Sequence, residues 1–243
     1  MTVGSSSVLD VQQLSFAYPD QVATLRDISF SVSRGERIGL IGPNGAGKSS
    51  LFMNLSGVLT PTAGQIELMG SLLKPGAFNP AVALVFQQAD DQLFSPTVWE
   101  DVAFGARNMG FEGRDLDSVV SSALKTVGIT DLAKRPVHQL SGGEKRLTCL
   151  AGSLVMQPQL MLLDEPSAAL DIRNRRRLIN LLSETQLAML IASHDLELII
   201  ELCPRVILLD NGSIIADGLA KDILSNRTLM ERHGQEVPFS LRC

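Results

Sequence analysis

Gly42-Pro43-Asn44-Gly45-Ala46-Gly47-Lys48-Ser49 fits the pattern G-x-x-x-x-G-K-[ST] at every fixed position. The run before it, Arg37-Ile38-Gly39-Leu40-Ile41, is short and apolar and reads as a buried strand, and Ser50-Leu51-Phe52-Met53-Asn54-Leu55 reads as the first helix. Strand, glycine-rich turn and helix in that order form a phosphate-binding unit of an α/β chain. Glycines let the backbone turn its N–H groups inward around phosphate oxygens, and the helix N-terminus adds partial positive charge. In this pattern Lys48 would neutralise the β- and γ-phosphates and Ser49 would hold Mg²⁺. The alternative is a chance glycine-rich turn with a surface lysine, and the flanking strand and helix argue against it.

With 243 residues, 45% of them hydrophobic, the chain can bury a sizeable core as one domain, or one domain with an inserted lobe. A formal net charge of −5 speaks against a nucleic-acid partner. No apolar stretch reaches the roughly 18 residues that cross a bilayer. Met1-Thr2-Val3-Gly4-Ser5-Ser6-Ser7 has neither a basic segment nor an apolar core, so it reads as a short flexible tail rather than a signal peptide. Cys149, Cys203 and Cys243 are scattered, as expected for free thiols in a reducing cytoplasm. None lies beside a histidine at metal-ligand spacing, so no zinc site is expected.

Strand-like stretches cover residues 8–14, 28–32, 65–70 and 81–86, the last leading into Gln87. The texture then becomes helical. Val98, Val102, Ala106 and Met109 share one helical face, and Leu116, Val119, Val120, Ala123, Leu124 and Val127 share another. Leu147, Leu150, Ala151, Leu154 and Val155 repeat the pattern after Ser141. Residues 88–158 therefore read as a helical lobe set into an α/β chain. Apolar strands return at 160–164 and 188–192, with helices expected at 173–183 and 196–202. Asp210-Asn211-Gly212 between two apolar runs is a hairpin signal. The tail after Leu219 reads as one more helix plus coil. The dense basic run Arg173, Arg175, Arg176, Arg177 reads as the solvated face of a helix, with an anionic-lipid contact as the alternative.

Two further motifs bear on chemistry. Asp164-Glu165-Pro166 ends an apolar strand, where α/β sheets place their ligands. Asp164 would face Mg²⁺ and Glu165 would act as general base toward water; the alternative is a turn or capping acid. Leu140-Ser141-Gly142-Gly143-Glu144 contains S-x-x-E, the capping box that opens a helix. A cap does not require Gly142 and Gly143, which cost helix stability. A serine and two glycines at a helix start also offer a second phosphate-binding surface, and one helix end can serve both purposes.

Taken together, residues 42–49, 140–144 and 160–166 resemble the ATP-binding-cassette ATPases, over almost the whole chain from about Val8 to Asp217. The resemblance implies a P-loop nucleotide-binding domain of α/β class with a RecA-like core, an antiparallel β subdomain and an inserted α-helical subdomain. The core would comprise about 8–87 and 159–218, the helical lobe 88–158 and a short tail 219–243, in one domain spanning 1–243. ATP would contact Tyr18, Gly42, Pro43, Asn44, Gly45, Ala46, Gly47, Lys48, Ser49, Ser50 and Gln87, with Ser49, Gln87 and Asp164 on the metal. Tyr18 resembles the aromatic that stacks on adenine; its alternative is packing within the sheet. Lys48, Glu165 and His194 would be catalytic, His194 as the switch histidine beside the γ-phosphate. Ser167-Ala168-Ala169-Leu170-Asp171 resembles a loop that crosses between subunits, or else an ordinary turn in which Asp171 caps a helix. Ser141, Gly142 and Gly143 of one subunit would complete the phosphate site of a second, in a head-to-tail dimer of two copies or of close paralogues.

Phe86-Gln87-Gln88-Ala89-Asp90-Asp91-Gln92-Leu93-Phe94-Ser95-Pro96-Thr97-Val98 resembles the ATPases of energy-coupling-factor importers, which take up vitamins such as biotin or the transition metals cobalt and nickel. That likeness implies a peripheral subunit on the cytoplasmic face of the membrane, bound to integral membrane transport proteins. Phe94, Val98 and Trp99 are candidate contacts, with core packing as the alternative; Trp99 stands where similar sequences suggest an acidic residue. Two other functions compete: a soluble cassette ATPase serving cytosolic machinery such as iron–sulphur cluster assembly, and a nucleotide-binding module without turnover. Residues 90–104 favour the transporter over the first, and an intact Glu165 and His194 argue against the second.

Overall fold

The computed structural model describes residues 7–20, 23–168 and 170–242. The expected tail up to residue 6, Ala169 of the crossing loop, and Cys243 lie outside the described residues. In chain order, β1 (Ser7–Phe16), β2 (Leu25–Ser33) and β3 (Arg37–Ile41) lead into α1 (Lys48–Leu55). β4 (Ala63–Leu68), β5 (Ser71–Leu72) and β6 (Val82–Val85) follow, then α2 (Val98–Asn108), α3 (Gly113–Thr126) and α4 (Gly142–Leu154). The chain continues through β7 (Leu160–Asp164), α5 (Ile172–Glu184), β8 (Ala188–Ala192) and α6 (Leu196–Leu202). It ends in β9 (Arg205–Asp210), β10 (Ser213–Leu219), α7 (Ala220–Ser225) and α8 (Arg227–Arg232).

A four-stranded antiparallel sheet runs β2-β1-β4-β5, and a six-stranded sheet runs β10-β9-β3-β8-β7-β6. The larger sheet is parallel except for the terminal β9–β10 hairpin. Its strands alternate between two cores. On β7, Leu160 and Leu162 face the core shared with the antiparallel sheet, while Met161 and Leu163 face the core shared with the helices. On β8, Leu190 and Ala192 take the first side and Met189 and Ile191 the second. Both faces are covered, which is why these strands read as unbroken apolar runs. α2, α3 and α4 pack on one another between β6 and β7 in the chain, through Val102, Ala106, Leu116, Val120, Leu124, Leu147 and Leu150.

The structure departs from the sequence reading in several places. Met109 is the C-cap of α2 and partly exposed, because the helix ends before its side chain reaches the core. Val98 is 0% exposed, so it is a core residue rather than a surface contact. The tail holds two short helices instead of one, separated at Asn226, whose side chain accepts from Leu229 N and caps α8. The basic run does lie largely on the exposed face of α5, with Arg173, Arg176 and Arg177 exposed, but three of its members are also paired. Arg175 donates two hydrogen bonds to Asp195 at 2.6 and 2.9 Å, Arg176 pairs with Glu201, and Arg177 donates to the carbonyls of Val127 and Gly128 at the end of α3. Cys149 and Cys203 are buried free thiols, each pushed up to about 12 by burial. No helix among the described residues is long and apolar enough to cross a membrane.

Candidate nucleotide site

The C-terminal ends of the parallel strands carry the candidate residues to one edge of the sheet, where open α/β sheets bind ligands. β3 delivers residues 42–47 and then α1; β6 delivers Gln87; β7 delivers Asp164 and Glu165; β8 delivers Ser193 and His194. The β9–β10 turn closes the side of the loop, with Gly212 N donating to the Ala46 carbonyl at 3.1 Å. Gly42 has φ +148°, and a Cβ there would lie 1.9 Å from the Leu209 carbonyl oxygen, so only glycine lets the loop leave β3 against β9.

These elements enclose a cleft of about 600 Å³. Tyr18, Asn44, Gly45, Ala46, Gly47, Lys48, Ser49, Ser50, Gln87, Asp164, Glu165 and His194 all line it. Gly42 and Pro43 do not; their carbonyls instead accept from Lys48 Nζ at 2.8 and 3.0 Å. Lys48 is only 8% exposed. Burial lowers its pKa, and the nearby carboxylates of Glu165 and Asp164 oppose that shift. Ser49 Oγ donates to Asp164 Oδ2 at 2.6 Å, and the Tyr18 hydroxyl lies 3.2 Å from Ser50 Oγ.

Glu165 is buried and sits at φ +46°, left-handed backbone that a non-glycine residue adopts at a cost. Its carboxylate is fixed by Ser193 Oγ, which donates to Oε2 at 3.1 Å, and by His194 N, which donates to Oε1 at 3.1 Å. His194 Nε2 is 2.9 Å from Asn44 Oδ1 and 3.7 Å from Glu165 Oε1. One histidine thus spans from the glycine loop to the carboxylate. Asp195, beside it, accepts from Arg175 and Ser167 and caps α6 through Leu198 N. Burial pushes the Asp195 pKa up, but these hydrogen bonds outweigh it and the net shift is downward.

The hydroxyl of Ser49, the carboxylate of Asp164 and the amide of Gln87 border the same cleft. They are hard oxygen donors of the kind Mg²⁺ takes. No cluster of three His, Cys, Asp or Glu residues among the described residues could hold a metal alone.

Ser141, Gly142 and Gly143 do not line this cleft. They open α4, where the capping box forms: Glu144 N donates to Ser141 Oγ at 3.4 Å and Ser141 N donates to Glu144 Oε2 at 2.7 Å. The two glycines differ. A Cβ at Gly143 would lie 2.7 Å from Asn174 Nδ2, so a larger residue there requires the Asn174 side chain to move aside. A Cβ at Gly142 would meet nothing within 4 Å, so nothing in this chain demands it. Ala23, Thr24, Arg26, Asn211 and Gly212 also line the cleft and were not singled out from sequence as site residues. Asn211-Gly212 is visible only as a hairpin signal, and nothing marks the other three.

The family model described as ABC transporter matches residues 25–168, more than half of the chain. The chain belongs to the ABC transporter family. This ABC ATPase is 40% identical over 242 residues to the energy-coupling factor transporter ATP-binding protein EcfA of Methanothermobacter thermautotrophicus, covering 95% of this chain and 77% of that one. It is 39% identical over 240 residues to the cobalt import ATP-binding protein CbiO of Rhodobacter capsulatus, covering 96% and 86%. The solved structure of CbiO1 from Clostridium perfringens, described as part of the ABC transporter complex CbiONQ, superposes with a TM-score of 0.81 at 34% identity, covering 94% of each chain. The ABC ATPase fold is therefore shared with that structure, and the activity of the chain is ATP binding and hydrolysis.

Proposed function

We propose that this chain is the ATP-hydrolysing subunit of an energy-coupling-factor importer for a transition metal ion such as cobalt or nickel, or for a vitamin such as biotin. The observation that carries the ATPase part is the meeting of Lys48, Ser49, Asp164, Glu165 and His194 in one cleft. The importer part is supported by the names of the EcfA and CbiO relatives, and they lend nothing to a soluble ATPase of cytosolic machinery.

Lys48 and the loop N–H groups bind the triphosphate, and Tyr18 takes the adenine face. Ser49, Gln87 and Asp164 would hold Mg²⁺, which when bound offsets phosphate charge. Glu165 accepts a proton from the attacking water as its oxygen bonds to the γ-phosphorus. The bond from that phosphorus to the bridging oxygen breaks, and its electron pair leaves on ADP. His194, placed by Asn44 and the Glu165 carboxylate, stabilises the γ-phosphate oxygens. Ser141, Gly142 and Gly143 would complete the site of a second ATPase subunit, either another copy or a close paralogue. The open space at Gly142 supports that reading, because an exposed helix N-terminus without side-chain bulk suits a partner's phosphates.

The membrane partner would dock near Phe94 and Phe104, which are 66% and 46% exposed and pack edge to face at 4.8 Å. Trp99 is partly buried against the core, with the Arg107 guanidinium 5.6 Å from its ring centroid, and offers only a rim. On this reading the chain sits peripherally on the cytoplasmic face of the membrane. Two measurements test the proposal. Glu165→Gln should lower kcat by about 10²–10⁴-fold; a wild-type chain that hydrolyses ATP no faster than this variant, with its membrane partners present, would overturn the motor. Affinity capture from gently solubilised membranes should bring down multi-spanning proteins, and recovery only with soluble partners would overturn the importer.

A further inference from the structure

α4 carries a buried cation that the chemistry above leaves unused. Arg146 is 4% exposed. Its Nη1 donates to the Phe86 carbonyl and its Nη2 to the Gln87 carbonyl, each at 2.5 Å. None of the ion pairs among the described residues involves it. A buried guanidinium without a carboxylate partner is costly unless other acceptors take its hydrogen bonds, and here two backbone carbonyls do so.

The same two turns of α4 touch the rest of that segment. Lys145 Nζ pairs with Asp90 Oδ1 at 2.5 Å, and Cys149 Sγ lies 3.8 Å from the Ala89 carbonyl. Residues 86–90 are thus fastened to the helix that begins with Ser141, Gly142 and Gly143. The fastening spans the Phe86 and Gln87 carbonyls, one hydrogen bond from each terminal nitrogen of the planar guanidinium, a two-nitrogen fork that the single nitrogen of an ammonium does not reproduce.

We propose that Arg146 is a positioning residue: it fixes the backbone at Gln87, so that Gln87 in one cleft and the α4 N-terminus move as a single body. This rests on the ATPase reading given above.

A double-mutant cycle on the full-length chain with its co-purified membrane partners tests this, using Arg146→Lys, Arg146→Met, Gln87→Ala and the doubles. Wild-type turnover is measured first; its absence would reject the ATPase reading itself and is read separately from the cycle. Given turnover, Arg146→Lys should lower kcat about 10²-fold, the scale expected of a small misplacement. The dissociation constant for ATP should stay within about 3-fold, because the glycine loop and Lys48 are intact. In the Gln87→Ala background the same change should cost less than about 2-fold, since the group it positions is already gone. Full multiplication of the two losses, an unchanged kcat in Arg146→Lys, or a parallel collapse of ATP affinity would each overturn the proposal. If Arg146→Met does not fold, the lysine cycle decides alone, because it keeps the buried charge.

Discussion

Tyr18 combines packing and polar contacts. Its ring and that of Phe16 meet nearly perpendicular, with 4.9 Å between centroids and an interplanar angle of 83°, and its hydroxyl meets Ser50 Oγ. The ring still borders the cleft, so the packing inferred from sequence and the adenine contact implied by resemblance are compatible. Stacking of an aromatic on a base contributes about 1–3 kcal/mol. Tyr18→Ala should therefore weaken ATP binding about 5- to 150-fold by titration calorimetry, while Tyr18→Phe keeps the ring and loses only the hydroxyl contact. Equal affinity in wild type and the alanine variant would remove Tyr18 from the site. Arg146 illustrates why single residues escape sequence reading. Lys145-Arg146 in a helical pattern looks like a solvated pair, and only the return of residues 86–87 beneath α4 buries one member of it.

Among the elements, those with a strong period were readable. β7 and β8 declared themselves by unbroken apolar runs, α3 by its stripe of Leu116, Val120, Ala123 and Leu124, and the β9–β10 hairpin by Asn211-Gly212, both at positive φ. β5 was not, since two residues carry no period. The end of α7 was missed because Asn226 reads equally as loop or cap until the chain restarts beyond it. α4 also makes a pH prediction. The Ser141 backbone N–H, with smaller contributions from Ser141 Oγ and Arg135, holds the Glu144 pKa below its ordinary value despite slight desolvation. A depressed folded pKa stabilises the protein above the unfolded value of about 4.3 and ceases to do so as pH falls through the folded value. Glu144→Gln should therefore melt at a lower temperature than wild type near neutral pH, with the gap closing under acid conditions. A constant gap in melting temperature across that range would mean that Glu144 acts through packing rather than charge.

Across the whole molecule, the site is assembled from segments far apart in the chain. The phosphate loop, Asp164, Glu165 and His194 each carry a local signal, but no local signal says that Asn211 and Gly212 wall the same cleft, because the contact of Gly212 with Ala46 exists only after the sheet closes. β3, which launches the loop, pairs in register with β8 through Arg37 and Met189 and with β9 through Ile38 and Arg205. Both neighbours leave the ribosome well after the loop, at roughly 5–20 residues each second. The glycine loop therefore emerges seconds before the strands that brace it. A chain ended ahead of β8 should retain no ATP on a filter, although its residues 42–49 are complete; retention at full-length affinity would show that the loop is formed without its flanks. A ligand stabilises only the state that binds it. Cellular ATP consequently offers no help to the half-made polypeptide, which gains its ligand's stabilisation only after β8 and β9 close on β3.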